Sequence, residues 1–135
     1  MRVGDLMRTD VLAVSPEDRL ADAALRMATQ GVGALAVLEG EALIGIVSER
    51  DLVRAMADGH PPRVAAVSAH MTPDPICAVP EMTLEAALRL LVEADVRHLP
   101  VVEGDRLVGM LSARDVLEQV AWGQVVVRPS PPDAP

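Results

Sequence analysis

The sequence predicts an α+β fold of two tandem β-α-β-β-α units packed about a pseudo-two-fold axis. Three observations lead there. Residues 3–54 lie over residues 67–118 at a constant shift of 64 positions, with no gap. Seventeen of those 52 positions are identical. The identities also fall on marks of local structure: Met7 on Met71, Asp10 on Asp74, Pro16 and Glu17 on Pro80 and Glu81, Glu39 and Gly40 on Glu103 and Gly104, and Gly45, Ser48, Arg50 and Asp51 on Gly109, Ser112, Arg114 and Asp115.

Each unit begins with a short apolar segment, residues 11–14 and 76–79, expected as a first strand. Next come Ser15-Pro16-Glu17-Asp18 and Val79-Pro80-Glu81-Met82, expected to open a helix. Proline suits a first helical turn, and the acid behind it complements the positive end of the helix dipole. Apolar residues then recur at 20, 23, 24, 27 and 28, and again at 84, 87, 88, 91 and 92. That spacing is a helical stripe. Residues 34–38 and 99–102 read as buried strands. Glu39-Gly40 and Glu103-Gly104-Asp105 turn them into strands at 43–47 and 107–111, which makes two hairpins. A second helix follows at 49–57 and at 113–120.

The units run over residues 3–56 and 67–120, joined by a linker at 57–66. A tail at 121–135 ends in a segment with four prolines among its last eight residues, expected to be mobile. One unit alone leaves an apolar face open on its sheet and its helices, so the two are expected to close each other. Trp122 is expected to cover an apolar edge or a dimer contact.

Composition narrows the function classes. The net charge of −8 argues against non-specific nucleic-acid binding, which needs a basic field. All twelve basic residues are arginine. With one Trp and no Tyr or Phe, no RNA-stacking surface can be built, and a bound base must lie on aliphatic side chains. No apolar run reaches the ~18 residues of a membrane span, and no signal-peptide pattern opens the chain. Cys77 is the only cysteine and reads as a small core residue. These features point to a cytoplasmic protein. The three histidines are dispersed and lack metal-site spacing, and His60 and His70 read as surface residues. Ser112, Asp115 and His98 are triad residue types, yet no nucleophile elbow surrounds them, so no catalysis is expected.

The chemistry concentrates in Gly45-Ile46-Val47-Ser48-Glu49-Arg50-Asp51 and Gly109-Met110-Leu111-Ser112-Ala113-Arg114-Asp115. Each segment is a strand-to-helix junction. Serine caps a helix, and the free N–H groups there favour anions. A carboxylate three residues on can accept from both hydroxyls of a ribose. Arg50 and Arg114 can supply charge-assisted bonds to phosphate. Cap-only serines, first-turn acids and solvated arginines account for the same residues without a ligand.

On these paired motifs the chain resembles a pair of CBS domains, the module named after cystathionine β-synthase. The resemblance covers residues 3–118 and implies a regulatory module that binds AMP, ADP, ATP, S-adenosylmethionine or a related adenosine ligand in the cleft between repeats. It implies that Asp51 and Asp115 hold ribose hydroxyls and that Ser48 and Ser112 approach phosphate. It also implies adenine contacts from Thr9, Asp10 and Val11 in the first repeat and from Pro73, Asp74 and Pro75 in the second. The family places a basic pair before the second strand. The second repeat has it, in Arg97-His98-Leu99-Pro100, whereas the first has Gly33 and Ala34. Arg50 and Arg54 compensate only in part. The two sites are therefore expected to be unequal. Two missing cationic contacts at roughly 1–2 kcal/mol each separate affinities by about tenfold to several hundredfold. The resemblance further implies a homodimer through helix faces, at Leu52 and Val53 with Val116 and Leu117, or a signal passed to an effector protein. A structural dimerisation unit without a physiological ligand is the alternative.

Overall fold

A computed structural model describes residues 1–121; Trp122 and the proline-rich tail lie outside the described residues. The elements are α1 (Val3–Leu6), β1 (Ala13–Val14), α2 (Leu20–Gln30), β2 (Ala34–Glu39), β3 (Ala42–Ser48), α3 (Glu49–Ala57), α4 (Val67–His70), β4 (Thr72–Pro73), α5 (Leu84–Ala94), β5 (His98–Glu103), β6 (Arg106–Ser112) and α6 (Ala113–Ala121).

The shift of 64 positions recurs in the backbone pairing. Ala34 pairs with Ser48, and His98 with Ser112. The register slips between Val37 and Leu38 in one hairpin, and between Val101 and Val102 in the other. Both slips are β-bulges, which bend a strand without breaking the ladder.

Two elements start differently from the sequence expectation. The long helices begin at Leu20 and Leu84, one turn after the prolines. Pro16 and Glu17 instead form a turn: the Asp18 N–H donates to the Ser15 carbonyl (3.1 Å), and Asp18 Oδ2 accepts the Ser15 N–H (2.9 Å). The first strand is Ala13–Val14 in the first repeat and a single bridge from Ala78 to Val101 in the second. Proline explains the second shortening. The Ala36 N–H donates to the Leu12 carbonyl (3.1 Å), but the equivalent residue is Pro100, which has no N–H to offer Ile76.

The leading helices cross over. Val3 is fully buried in a cluster with Ala78, Leu84, Ala87, Leu91, Leu99, Val101, Leu111 and Val116 of the second repeat. Val67 is buried with Val14, Leu20, Ala23, Met27, Leu35, Val37, Val47 and Ala55 of the first. The turns after the first strands anchor this exchange. The Val3 N–H donates to the Met82 carbonyl and the Val67 N–H to the Asp18 carbonyl, both at 2.8 Å. The chain then adds an edge strand to the other sheet: Thr72 pairs with Ile46, and Arg8 with Met110. A third cluster, of Ala34, Ala36, Ile46 and Met110, joins the two sheets. Small residues there let the sheets approach, and their meeting line floors a cleft.

Candidate functional site

The two motif helices open on that cleft. Ser48 caps α3 and Ser112 caps α6. The Asp51 N–H donates to Ser48 Oγ (3.4 Å), and the Asp115 N–H to Ser112 Oγ (3.0 Å). The carboxylates differ in state. Asp51 Oδ2 accepts both the Ser48 backbone N–H (2.8 Å) and the Ser48 hydroxyl (3.1 Å), closing a reciprocal capping box. Asp115 Oδ2 is buried with no hydrogen-bond partner among the described residues. A buried carboxylate oxygen without a donor is costly, so this atom gains most from a donor brought to it.

The cleft has a volume of about 1200 Å³ and is lined from both repeats. That volume exceeds the several hundred Å³ typical of a small-molecule pocket. Ser48, Arg50 and Asp51 line it on one side, and Ser112, Arg114 and Asp115 on the other. Asp10, Val11, Asp74, Pro75, Arg97 and His98 line it too. Thr9, Pro73 and Pro100 do not. Thr9 is exposed, Pro73 is an exposed residue of β4, and Pro100 is fully buried in β5. Asp74 enters the cleft from a left-handed backbone (φ 46°), a conformation that aspartate tolerates better than most residues.

Neither motif arginine is free. Arg50 Nη1 reaches across the cleft to the Asp95 carbonyl (3.2 Å) and carboxylate (3.8 Å). Arg114 Nε pairs with Glu118 one helical turn on, at 3.4 Å. His98 is half-buried in the cleft. Burial pushes its imidazole below the ordinary range; Glu49 and Asp115 pull it back up, and Arg97 adds to the lowering. Sequence reasoning missed Glu49, Asp95 and Arg8 as cleft residues. Glu49 sits inside the motif and was legible there. Asp95 and Arg8 are brought in only by packing between the repeats.

The CBS domain family model matches twice, at residues 3–58 and 64–121. The chain belongs to the CBS domain family. Its repeats are similar to those of the CBS domain-containing protein YhcV of Bacillus subtilis, 35% identical over 115 residues, covering 84% of this chain and 81% of that protein. They are also similar to a segment of the inosine-5'-monophosphate dehydrogenase of Korarchaeum cryptofilum, 37% identical over 108 residues. That match covers 79% of this chain but 22% of the dehydrogenase, and a second such enzyme, from Methanocaldococcus jannaschii, is covered over 24% of its length. The chain thus spans about a quarter of these relatives. Among solved structures, the CBS domain protein NE2398 matches with a TM-score of 0.84 at 31% identity, covering 90% of this chain and 98% of that one. CBSX2, solved in complex with AMP, matches with a TM-score of 0.76 at 28% identity, covering 92% and 98%. No described helix of this CBS pair is long and apolar enough to cross a membrane.

Proposed function

We propose that this CBS pair is a regulatory module that binds an adenosine nucleotide in the inter-repeat cleft and relays its ligand state to a partner or through self-association. One observation carries the reading. A single cleft gathers two Ser-x-x-Asp helix starts, from opposite repeats, with Arg97 and His98 between them. Those groups supply hydroxyl acceptors for a ribose and donors for a phosphate. The AMP complex of CBSX2 supports the same ligand class. AMP, ADP, ATP and S-adenosylmethionine remain its candidates. A ligand that bridges both repeats favours the state in which they are closed on each other.

On this reading the role is regulatory. Ser112 Oγ is engaged as a helix cap for the Asp115 N–H. Among the described residues, no cluster suits a metal ion. The same proposal places the protein in the cytoplasm, where nucleotides are abundant and the lone Cys77 needs no partner.

Thermal shift tests the reading. Binding to the folded state alone should raise the melting temperature, by an amount set by ligand concentration over Kd. AMP, ADP, ATP or S-adenosylmethionine at about 100 times Kd should add roughly 2.7 kcal/mol. Asp115→Ala should abolish the gain. A second reading, a structural dimerisation unit, draws on the exposed Val53 and Met56 of α3 and Leu117 of α6, each more than 60% accessible. Absence of any shift, with a stable dimer in solution, would favour it.

A further inference from the structure

The two halves of the cleft carry opposite charge at one equivalent point. The Glu49 N–H donates to the Gly33 carbonyl (3.0 Å), and the Ala113 N–H donates to the Arg97 carbonyl (2.8 Å). These are the same backbone bond, 64 positions apart. In the Asp115 half the pair is Arg97 with Ala113, a cation beside a neutral methyl. In the Asp51 half it is Gly33 with Glu49, an open position beside a carboxylate. The carboxylate lies over the glycine: a Cβ built on Gly33 would stand 3.0 Å from Glu49 Oε1. It would also stand 3.2 Å from His98 Cε1. The space that Arg97 has in one half is therefore filled in the other by an acid and by the second repeat's imidazole.

The other cations offset Glu49 only in part, and from further along the helix. Arg50 is drawn toward Asp95, which is itself acidic. Arg54 lines the cleft on the Asp51 side, where its equivalent in the other half is Glu118. The carboxylates that would receive a ribose differ in the same direction. Asp51 is held by its own serine, while Asp115 has an oxygen without a donor. A carboxylate turns about a broad terminal torsion, so this orphan oxygen can be exchanged toward the cleft.

From this we infer that Glu49 is a specificity-determining residue. It excludes phosphorylated adenosine ligands from the Asp51 half, so that one such ligand binds per chain, in the Asp115 half beside Arg97, with His98 at the boundary between the halves. The inference rests on the ligand reading above and adds to it the order and chemical class of occupancy. A like charge a few ångströms from a phosphate, in a cleft partly screened from water, weakens binding by about tenfold or more. An unphosphorylated nucleoside does not meet this repulsion, so the Asp51 half keeps the capacity for an uncharged adenosine compound.

Isothermal titration of the full chain with AMP, with ATP in parallel, tests this. Wild type should take up one nucleotide tightly. Glu49→Ala, which reproduces Ala113, should bring a second site to within about tenfold of the first and leave adenosine binding unchanged. Asp115→Asn should remove the tight site, and Asp51→Asn, of the same shape as aspartate, should leave it. Two equal nucleotide sites in wild type would overturn the inference and leave the ligand reading standing. So would a second site indifferent to Glu49→Ala, or loss of the tight site in Asp51→Asn. No binding of either nucleotide by any variant would overturn both.

Discussion

His98 is where the chemistry of both repeats meets. It starts β5, pairs across the strand with Ser112, and presses on Gly33 of the other repeat. Burial holds its imidazole toward the neutral form, against the pull of Glu49 and Asp115. The sign of its effect on stability follows. With a folded-state pKa below the unfolded one, the unfolded chain takes up a proton first as pH falls. Stability linked to His98 is therefore complete above the ordinary imidazole range and is lost as pH falls through it toward the depressed folded value. Urea unfolding between about pH 8 and about pH 5 should show a steeper loss in wild type than in His98→Gln. Equal slopes in the two proteins would contradict the assignment. A bound phosphate acts in the opposite sense, because it favours the imidazolium.

At the scale of elements, the motif glycines are explained by the strands they meet. A Cβ on Gly45 would lie 2.5 Å from Met71 Sδ and 3.0 Å from the Thr72 carbonyl oxygen. A Cβ on Gly109 would lie 2.6 Å from Met7 Sδ and 3.0 Å from the Arg8 carbonyl oxygen. Each repeat's methionine thus packs over the other repeat's glycine, at the point where the edge strand joins β3 or β6. The thioether can give way, but the backbone oxygen beside it cannot do so without loosening the edge pairing. Gly45→Ala should cost about 1–3 kcal/mol by chemical denaturation. Met71→Ala in the same chain should recover part of that cost, a coupling that a double-mutant cycle reads directly. Simple additivity would mean that Met71 is not the atom in the way. Sequence comparison marked Met7, Met71, Gly45 and Gly109 as repeated identities. It could not show that they pair crosswise, because the partners belong to different repeats and share no local pattern.

At the scale of the molecule, the crossover makes the repeats one cooperative body. Val3 is fully buried in the core of the second repeat, about 80 residues away along the chain from its hydrogen-bond acceptor Met82. Val3→Ala should destabilise by roughly 2 kcal/mol through the cavity it leaves. It should shift a single unfolding transition, since neither core is closed by its own repeat alone. Two separated transitions would show that the halves fold independently. The same packing revises the expected dimer face. Val116 is buried in its own repeat's core and is not available to a second copy, while Leu52 is partly buried against the core of its own, first repeat. Val53, Met56 and Leu117 remain exposed on α3 and α6.

The repeat itself was written in the sequence. Equal spacing of Pro, Gly, Ser, Arg and Asp fixed the order of elements, because turns, caps and apolar stripes are local and each carries its own residue signature. The hairpins and the two Ser-x-x-Asp helix starts follow from that order. The difference between Arg97 with His98 and Gly33 with Ala34 was legible for the same reason. Tertiary structure decided three further matters: that α1 and α4 exchange cores, that Thr9, Pro73 and Pro100 stay out of the cleft, and that Glu49 lies over Gly33 where the other half has Arg97. Each depends on side chains from segments far apart in the chain, and burial and charge between such segments leave no periodic mark in either one.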